Sequence, residues 1–288
     1  MSHALTVRRA LSRSDLVPLE AQILLAHVLE KDRAWLIGHA EDALSKQQED
    51  AFACLASRRH RGEPVAHLTG RREFWGLSLA VTKDVLIPRP ETETLVEIVL
   101  QRLPRDREVR VLDLGTGSGA IAIAIAHERP RASVVATDVA DAALAVAREN
   151  AQRHRLGNIE FALSDWYAAI VSRPNSLGAS AGPFDLIVSN PPYIALRDRH
   201  LSEGDLPFEP PTALVAGIDG LAALRTIVAG AREHLKPGGM LAVEHGYDQA
   251  ERVHALFADA GFVRMIAARD LAGISRVVAG DLAPLPGP

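Results

Sequence analysis

Short apolar segments alternate with amphipathic segments over most of the chain, from Val109 onward. The apolar segments VRVLDL, SVVATD, IEFAL, FDLIVS and MLAVEH each have the length of one strand, and most stretches between them carry the period of a helix. Apolar strands joined by helices are typical of a mostly parallel sheet covered on both faces. The last two segments, FVRMIAA and SRVVAG, lack an intervening helix and predict an antiparallel hairpin at one edge. The pattern therefore predicts an α/β fold with a doubly wound sheet.

The first 80 residues have a different pattern, which predicts helices. Pro18 suits a first helical turn, and the residues after it form a broad apolar face. A second helix is expected over 47–60, a short hairpin over 73–81 and a further helix over 91–103. We therefore expect a helical domain over 1–75, a linker or hairpin over 76–90 and the α/β domain over 91–288.

Composition narrows the class of protein without indicating a function. The 288 residues are 48% hydrophobic and 24% charged, with a formal net charge of −4 and one cysteine. This balance argues against a protein that holds nucleic acid mainly by neutralising phosphates. A single cysteine excludes an internal disulfide and a multi-cysteine metal site, and we expect no bound metal. The sequence has neither a membrane-spanning apolar segment nor a signal peptide, so we expect a cytoplasmic protein.

A run of basic residues stands out in the helical part of the chain. Arg58, Arg59, His60 and Arg61 are consecutive, and two further arginines follow at 71 and 72. One interpretation is a solvated helix end, where cations are favourable. The other is a docking patch for an acidic or RNA-associated partner.

A glycine-rich loop is predicted between the first strand of the α/β domain and the next helix. It runs from Asp113 to Gly119, and Asp138 ends the following strand at the spacing typical of a carboxylate that binds ribose hydroxyls. The glycine spacing departs from the dinucleotide pattern, and the phosphate-binding P-loop is missing. We therefore predict S-adenosylmethionine as the cofactor. Its candidate contacts are Gly115, Thr116, Gly117, Ser118, Gly119, Asp138, Asp165 and Trp166.

Two of these assignments carry chemistry of their own. Asp165 is placed to accept a hydrogen bond from the adenine amino group, and Trp166 offers an aromatic face to the ring. Asp113 has two possible roles, either facing the cofactor's ammonium group or bracing the loop.

The tetrapeptide Asn190-Pro-Pro-Tyr193 directly follows the apolar segment FDLIVS. Two prolines make this loop stiff and leave the Asn190 side-chain oxygen and the Pro191 carbonyl as acceptors. Two adjacent acceptors suit a planar –NH2 group, and Tyr193 can pack on the flat face of that group. We therefore interpret Asn190, Pro191 and Tyr193 as catalytic residues that align a nitrogen nucleophile.

The order of these motifs resembles the PrmC/HemK family of protein-(glutamine-N5) methyltransferases. The resemblance covers nearly the whole chain and includes Ile87-Pro-Arg-Pro-Glu-Thr-Glu93, the glycine loop, Ser164-Asp-Trp166, Asn190–Tyr193, Glu209-Pro-Pro-Thr and Glu244-His-Gly. It implies a seven-stranded, Rossmann-like S-adenosylmethionine-dependent methyltransferase domain with a small N-terminal helical domain that docks the substrate.

The resemblance also implies a substrate and its contacts. The substrate is the glutamine of the Gly-Gly-Gln motif in class 1 peptide chain release factors. Substrate contacts are expected from Asn190, Pro191, Pro192, Tyr193, Arg89 and Glu91. The resemblance implies that Asn190 also contacts the cofactor. No stable nucleic acid partner and no membrane are expected.

Two other interpretations remain open from the sequence. Asn-Pro-Pro-Tyr also occurs in adenine-N6 nucleic-acid methyltransferases, which the net charge and the lack of a target-recognition domain disfavour. A non-catalytic scaffold is expected to have lost Asn190 or the glycines, and both are present. Residues 172–183 are interpreted as a surface insertion, and His245 more as a packing residue than as a functional one.

Overall fold

The structure is a computed structural model that describes residues 5–172 and 182–283. Two compact units divide the chain. One runs as far as Arg71 and also includes Ser202–Phe208, and the other comprises Arg72–Leu201 and the chain from Glu209. Most of the predicted insertion at 172–183 lies outside the described residues. Within the described ranges, no helix is long and apolar enough to cross a membrane.

Five helices form the first unit: α1 (Val7–Arg13), α2 (Pro18–Leu29), α3 (Arg33–Gly38), α4 (Lys46–His60) and α5 (Val65–Thr69). Side chains cap three of them at the N-terminus, and Ser45 forms a reciprocal capping box with Gln48 at the start of α4. The predicted helices near 18 and over 47–60 are therefore confirmed as α2 and α4. Their apolar faces meet in a core that includes Leu24, Leu25 and Phe52.

The basic run at the end of α4 is engaged inside this unit. Arg58 pairs with Glu63 at 2.5 Å, and Arg59 pairs with Glu20 at 2.9 Å and with Asp205 at 3.5 Å. Two of the guanidinium groups in the run therefore have carboxylate partners, as is typical of a helix end, while Arg61 stays exposed.

The second unit contains a seven-stranded sheet in the order β5-β4-β3-β6-β7-β9-β8, which confirms the predicted α/β class. Its strands are β3 (Val109–Leu114), β4 (Ala132–Asp138), β5 (Ile159–Leu163), β6 (Phe184–Ser189), β7 (Leu235–Glu244), β8 (Phe262–Arg269) and β9 (Ser275–Leu282). The first five pair in parallel, and β9 pairs antiparallel with both β7 and β8. The predicted antiparallel hairpin at one edge is therefore confirmed.

Helices cover both faces of this sheet: α6 (Glu93–Arg102), α7 (Ala120–Glu128), α8 (Asp141–Arg153), α9 (Ala168–Ser172), α10 (Ala222–His234) and α11 (Ala250–Asp259). Successive strand residues point to opposite faces. Val111 accordingly packs in the core that contains α6 and α7, and Leu112 packs in the core that contains α10 and α11. The central strands are buried on both faces, which explains their continuous apolar sequence.

Some local structure differs from the sequence-based expectation. The helix expected over 91–103 begins with a 3₁₀ turn at Pro90–Thr92, since two prolines constrain its entry, and becomes α-helical only at Glu93. The segment before α10 contains the short 3₁₀ helices Arg199–Ser202, Leu206–Phe208 and Pro211–Ala213, which lack the length for a periodic signal. The hairpin expected over 73–81 is present as β1 (Arg71–Phe74) and β2 (Leu77–Ala80).

Candidate active site

The glycine loop lies at the carboxyl end of β3, where ligands bind in open α/β sheets. Gly115, Gly117 and Gly119 all have positive φ, at 70°, 55° and 84°, a region that L side chains rarely adopt. Gly119 is also the N-cap of α7, and a Cβ there would lie 3.0 Å from Ile123 and 3.2 Å from Ala147. The loop therefore needs these glycines for its backbone conformation and, at Gly119, for close helix packing.

Asp138 ends the neighbouring strand β4 and holds two backbone segments. Its Oδ2 accepts from Gly117 N–H at 2.9 Å, and its Oδ1 accepts from Ala140 N–H at 2.9 Å. Each carboxylate oxygen has a second lone pair, so both remain capable of accepting from ribose hydroxyls.

Asp113 is fully buried beneath the loop. Its Oδ2 accepts from the Thr116 hydroxyl at 2.6 Å, while burial raises the pKa of its carboxyl to about 7 against that hydrogen bond. This geometry favours the loop-bracing role of the two that the sequence left open.

A cavity of about 160 Å³ lies beside the glycine loop. Ten predicted site residues line it: Arg89, Gly115, Thr116, Gly117, Ser118, Asp138, Asp165, Trp166, Asn190 and Pro192. Four predicted site residues are not among the lining residues, namely Gly119, Pro191, Tyr193 and Glu91.

Trp166 and Asp165 occupy the turn after β5. Trp166 has a φ of 46°, and its ring lies 3.7 Å from where a Cβ on Gly115 would stand. The indole therefore packs over the glycine loop, and Asp165 is exposed beside it on the cavity wall. An aromatic face next to a carboxylate suits an adenine ring with its amino group.

Asn190 immediately follows β6 and presents one end of its amide to the rest of the site. Its Nδ2 donates to the Thr92 hydroxyl at 3.0 Å. Its Oδ1 is buried and has no hydrogen-bond donor within the described part of the chain. A buried carbonyl oxygen without a donor is costly and marks a position that a ligand N–H can satisfy.

Tyr193 points to a buried carboxyl. Its hydroxyl donates to Oε1 of Glu244 at 3.2 Å, and burial raises the pKa of the phenol. Glu244 is 1% exposed, and desolvation raises the pKa of its carboxyl to about 7, although the hydrogen bond from the Tyr193 hydroxyl opposes the rise. The Tyr193 hydroxyl is thus used by the protein itself, and its ring packs against the core that contains α10 and α11.

Arg89 is fixed by a partner far along the chain. Its guanidinium pairs with Glu209 at 2.5 Å, and the other oxygen of Glu209 accepts from Ile87 N–H at 3.0 Å. This pair ties the Ile87–Glu93 motif to the Glu209-Pro-Pro-Thr motif at the cavity.

The structure adds three residues to those the sequence analysis assigned to the site: Thr92, Glu209 and Glu244. All three lie in motifs that carry the family resemblance, but their spacing along the chain does not reveal their contacts. His245 is buried, its Nδ1 lies 2.8 Å from the Gly246 carbonyl, and burial lowers the pKa of its imidazole. Its Nε2 is buried and has no hydrogen-bond partner among the described residues, and the packing role of His245 stays a prediction.

The hydrogen-bond acceptors and the aromatic face at the cavity fit S-adenosylmethionine. Carboxylates at Asp138 and Asp165 and the aromatic face of Trp166 match an adenosine, and the buried Asn190 Oδ1 needs a donor. No group of three or more potential metal ligands occurs among the described residues.

Known protein families match both the N-terminal and the α/β part of the chain. Residues 6–70 match the PrmC N-terminal domain, and residues 92–203 match the methyltransferase small domain. A release factor glutamine methyltransferase of Xylella fastidiosa is 51% identical over 91% of this chain and 92% of the relative. One from Bordetella pertussis is 50% identical over 92% of this chain and 94% of the relative.

A solved structure agrees at the level of fold. A 16S rRNA N2 methyltransferase from T. thermophilus, in complex with AdoMet and guanosine, is 20% identical and has a TM-score of 0.53 over 74% of this chain and 49% of its own. The two relatives described above are about 50% identical to this chain over almost their full length, so they identify its family as well as its fold. The chain belongs to the release factor glutamine methyltransferase family.

Proposed function

We propose that this protein transfers a methyl group from S-adenosylmethionine to the side-chain amide nitrogen, N5, of the glutamine in the Gly-Gly-Gln motif of class 1 peptide chain release factors. The observation that carries the proposal is the buried, donor-free Oδ1 of Asn190 beside the cavity. A buried acceptor without a donor can be satisfied by a substrate that donates an N–H, and an amide –NH2 group has two such donors. The names of the full-length relatives supply the substrate class.

The cofactor site is proposed as the wall formed by Gly115–Gly119, Asp138, Asp165, Trp166 and Asn190. Asp138 would accept from the ribose hydroxyls, and Asp165 and Trp166 would hold the adenine. When bound, S-adenosylmethionine supplies an electrophilic methyl carbon on a sulfonium, for which the substrate nitrogen is the nucleophile and the thioether the leaving group. These residues therefore fix the direction from which the nitrogen must approach.

The substrate site is proposed around Asn190 and the carbonyl of Pro191. An amide nitrogen is a poor nucleophile because its lone pair is delocalised into the carbonyl. Accepting both N–H bonds orients the nitrogen and favours its tetrahedral form, and alignment of this kind can lower a barrier by roughly 7–11 kcal/mol at best. The product nitrogen then loses its extra proton to solvent, so no dedicated general base is required.

The remaining substrate contacts are assigned by position. Pro192 and Arg89 line the cavity. The roles of the Tyr193 ring, proposed to pack on the flat face of the amide, and of Glu91, proposed to adjoin Arg89, rest on the sequence motifs alone. The helical N-terminal domain is proposed to dock the release factor. Acting on release factors, the protein would work in the cytoplasm, where translation terminates.

One labelling experiment tests the proposal. The protein is incubated with methyl-labelled S-adenosylmethionine and, in separate reactions, with a class 1 release factor, the same factor with its Gly-Gly-Gln glutamine replaced, and DNA or RNA. We expect label only in the intact factor, on one glutamine. Label in the substituted factor, or only in nucleic acid, contradicts the proposal, and binding of cofactor without transfer to any of them indicates a scaffold.

A further inference from the structure

The buried side-chain amide of Gln249 joins three loops at the carboxyl end of the sheet. Its Nε2 donates to the carbonyl of Tyr193 at 2.9 Å and to the carbonyl of Gly220 at 3.3 Å. Its Oε1 accepts from Gly246 N–H at 2.9 Å. Gln249 is 3% exposed, is the N-cap residue of α11 and is not among the residues that line the cavity. The Asn190–Tyr193 loop is thereby tied to the loop before α10 and to the loop after β7.

The three partners leave the Gln249 amide one orientation. Its –NH2 group uses both protons on backbone carbonyls, and its oxygen accepts from a backbone N–H. In the flipped orientation the amide oxygen would face two carbonyl oxygens, and the –NH2 group would face an N–H. Such pairings leave buried polar groups unsatisfied, which is costly. The hydrogen bond to the Tyr193 carbonyl is therefore fixed in direction by the protein itself.

Gly220 allows the Tyr193 carbonyl to approach Gln249. Its φ is 74°, a region that L side chains rarely adopt. A Cβ on Gly220 would lie 2.5 Å from the Tyr193 carbonyl oxygen and 2.8 Å from Nε2 of Gln249. Glycine at 220 is thus required both by the backbone conformation and by the close approach of these two atoms.

The Asn190–Tyr193 loop depends on such outside contacts for its position. Pro191 and Pro192 have no N–H, so neither can donate a hydrogen bond that would anchor the middle of the loop. Both prolines have a fixed φ, and the proline at 192 also restricts the backbone of Pro191. A displacement of the Tyr193 carbonyl is therefore passed on to Asn190, because the residues between them cannot absorb it.

Tyr193 is held at three points, of which one is on the backbone. Its hydroxyl donates to Glu244 at 3.2 Å, and its ring packs against the core that contains α10 and α11. These two contacts fix the side chain and leave the peptide group free to rotate. The hydrogen bond from Gln249 fixes that peptide group, which ends the loop.

We propose that Gln249 is a positioning residue that fixes the backbone of the Asn190–Tyr193 loop and, through it, the direction of Asn190 Oδ1 toward the nitrogen to be methylated. The inference rests on the proposed function, because the loop aligns a nucleophile only when the substrate presents an amide. Gln249 does not touch the reacting atoms. It acts through the Tyr193 carbonyl.

Gln249→Met tests this role, because methionine keeps the approximate length of the side chain and removes the amide. We expect kcat on the release factor to fall about 10-fold to 100-fold, the effect of a small misplacement of an aligning group. The KM for the release factor and the calorimetric affinity for S-adenosylmethionine should stay within about 3-fold of wild type, since Gln249 contacts neither ligand. A folded variant with the wild-type kcat would overturn the proposal.

Asn158→Leu is the matched control for loss of an amide that binds several backbone groups. Nδ2 of Asn158 donates to the carbonyls of Ala126, Arg129 and Ala132 at 3.2, 3.3 and 3.1 Å, and Asn158 does not line the cavity. We expect this variant to lose stability in urea unfolding, as Gln249→Met does, and to keep the wild-type kcat. An equal fall in kcat in both variants would show that any such amide has this effect, and would overturn the proposal.

Gly220→Ala displaces the Tyr193 carbonyl without removing the Gln249 amide, so it decides the matter even if Gln249→Met does not fold. Its control is Gly238→Ala, because Gly238 has the same φ of 74° and nothing lies within 4 Å of a Cβ there. Backbone strain is therefore matched, and only the approach to Tyr193 differs. We expect kcat to fall at least about 10-fold in Gly220→Ala alone. Equal kcat in the two variants would overturn the proposal.

The side-chain signal of Asn190 reports the position of the loop without turnover. The sequence contains four asparagines, at 150, 158, 175 and 190, so protein labelled with ¹⁵N-asparagine gives four side-chain amide signals that substitution can assign. We expect the Asn190 –NH2 signal to shift in Gln249→Met and in Gly220→Ala, and to keep its position in Gly238→Ala. A signal that stays in place in all three, or moves equally in all three, refutes the link between Gln249 and Asn190.

The kinetic and spectroscopic measurements separate this inference from the proposed function. If wild-type protein fails to methylate release factors, the function fails, while the amide signal still reports whether Gln249 controls Asn190. If wild-type protein is active and neither kcat nor the signal responds to Gln249→Met and Gly220→Ala, the inference fails and the function stands.

Discussion

Asn190 and Asp138 line the same cavity but are held in different ways. Asp138 uses both oxygens on backbone N–H groups, whereas Asn190 keeps its Oδ1 unpaired in a buried position. Loss of the Asp138 carboxylate should therefore act mainly on the binding of cofactor and the shape of the loop. Loss of the Asn190 amide should act on the reacting nitrogen.

We expect Asn190→Ala to lose turnover far more than Asp138→Ala at saturating cofactor. The reason is that alignment of the nucleophile affects kcat, whereas weaker cofactor contacts affect KM and can be overcome by concentration. Steady-state kinetics over a range of S-adenosylmethionine concentrations gives both constants. If added cofactor restores the two variants equally and completely, Asn190 does not position the nucleophile.

Substitutions at Gly117 and Gly119 can distinguish two destabilising effects of a side chain in the loop, namely backbone strain and steric overlap. Both have positive φ, but a Cβ on Gly119 would meet Ile123 and Ala147, whereas nothing lies within 4 Å of one on Gly117. We expect Gly117→Ala to lose roughly 1–2 kcal/mol of unfolding free energy from backbone strain alone. Gly119→Ala should lose roughly 1–3 kcal/mol more, because α7 and α8 must shift. Urea unfolding measures both, and equal losses would mean that the packing relaxes freely.

At the scale of elements, α8 holds β2 and the glycine loop through one side chain. Asn150 is fully buried, its Oδ1 accepts from Ala80 N–H at 2.6 Å, and its Nδ2 donates to the carbonyls of Ala80 and Ser118 at 3.0 and 2.9 Å. The amide thus completes the edge of the hairpin and fixes the backbone of the loop that lines the cavity.

We expect Asn150→Ala to lower the unfolding free energy by roughly 2–4 kcal/mol, since it leaves buried backbone groups of Ala80 and Ser118 without partners. Cofactor affinity should fall as well, because Ser118 belongs to the loop. Gln152→Ala, an exposed position on the same helix, is the control and should change neither quantity appreciably. Chemical unfolding and calorimetric titration provide the measurements. A stability loss with unchanged cofactor affinity would show that the loop does not depend on α8.

The elements were predictable from sequence where burial imposes a clear pattern. β3 and β6 are mainly apolar because both of their faces are covered, and the loop after each carries residues that line the cavity. The pairs Arg89–Glu209 and Thr92–Asn190 were not predictable, because they join residues about 100 or more positions apart. Periodicity reports which face a residue occupies, and it contains no information on which distant polar atoms will meet there.

Asp113 and Glu244 matter at the scale of the whole molecule because both are completely buried carboxyls. Burial raises the pKa of Asp113 from 3.8 to about 7 and that of Glu244 from 4.5 to about 7. The folded protein therefore binds more protons than the unfolded chain between about pH 4 and pH 7. The contribution of these two carboxyls to the free energy of unfolding is therefore greatest below about pH 4. It falls as pH rises and levels off above about pH 7.

Glu244→Gln isolates one of these groups. Glutamine stays neutral, so we expect the variant to gain stability relative to wild type as pH rises from 4 to 8, by about 3 kcal/mol for a shift from 4.5 to about 7. Urea unfolding at pH 5, 6.5 and 8 measures the difference, with Glu97→Gln, an exposed position on α6, as the control for the change in formal charge. The variant should therefore be more stable than wild type at pH 8. A difference in stability that does not vary with pH would mean that Glu244 keeps an ordinary pKa in the folded protein.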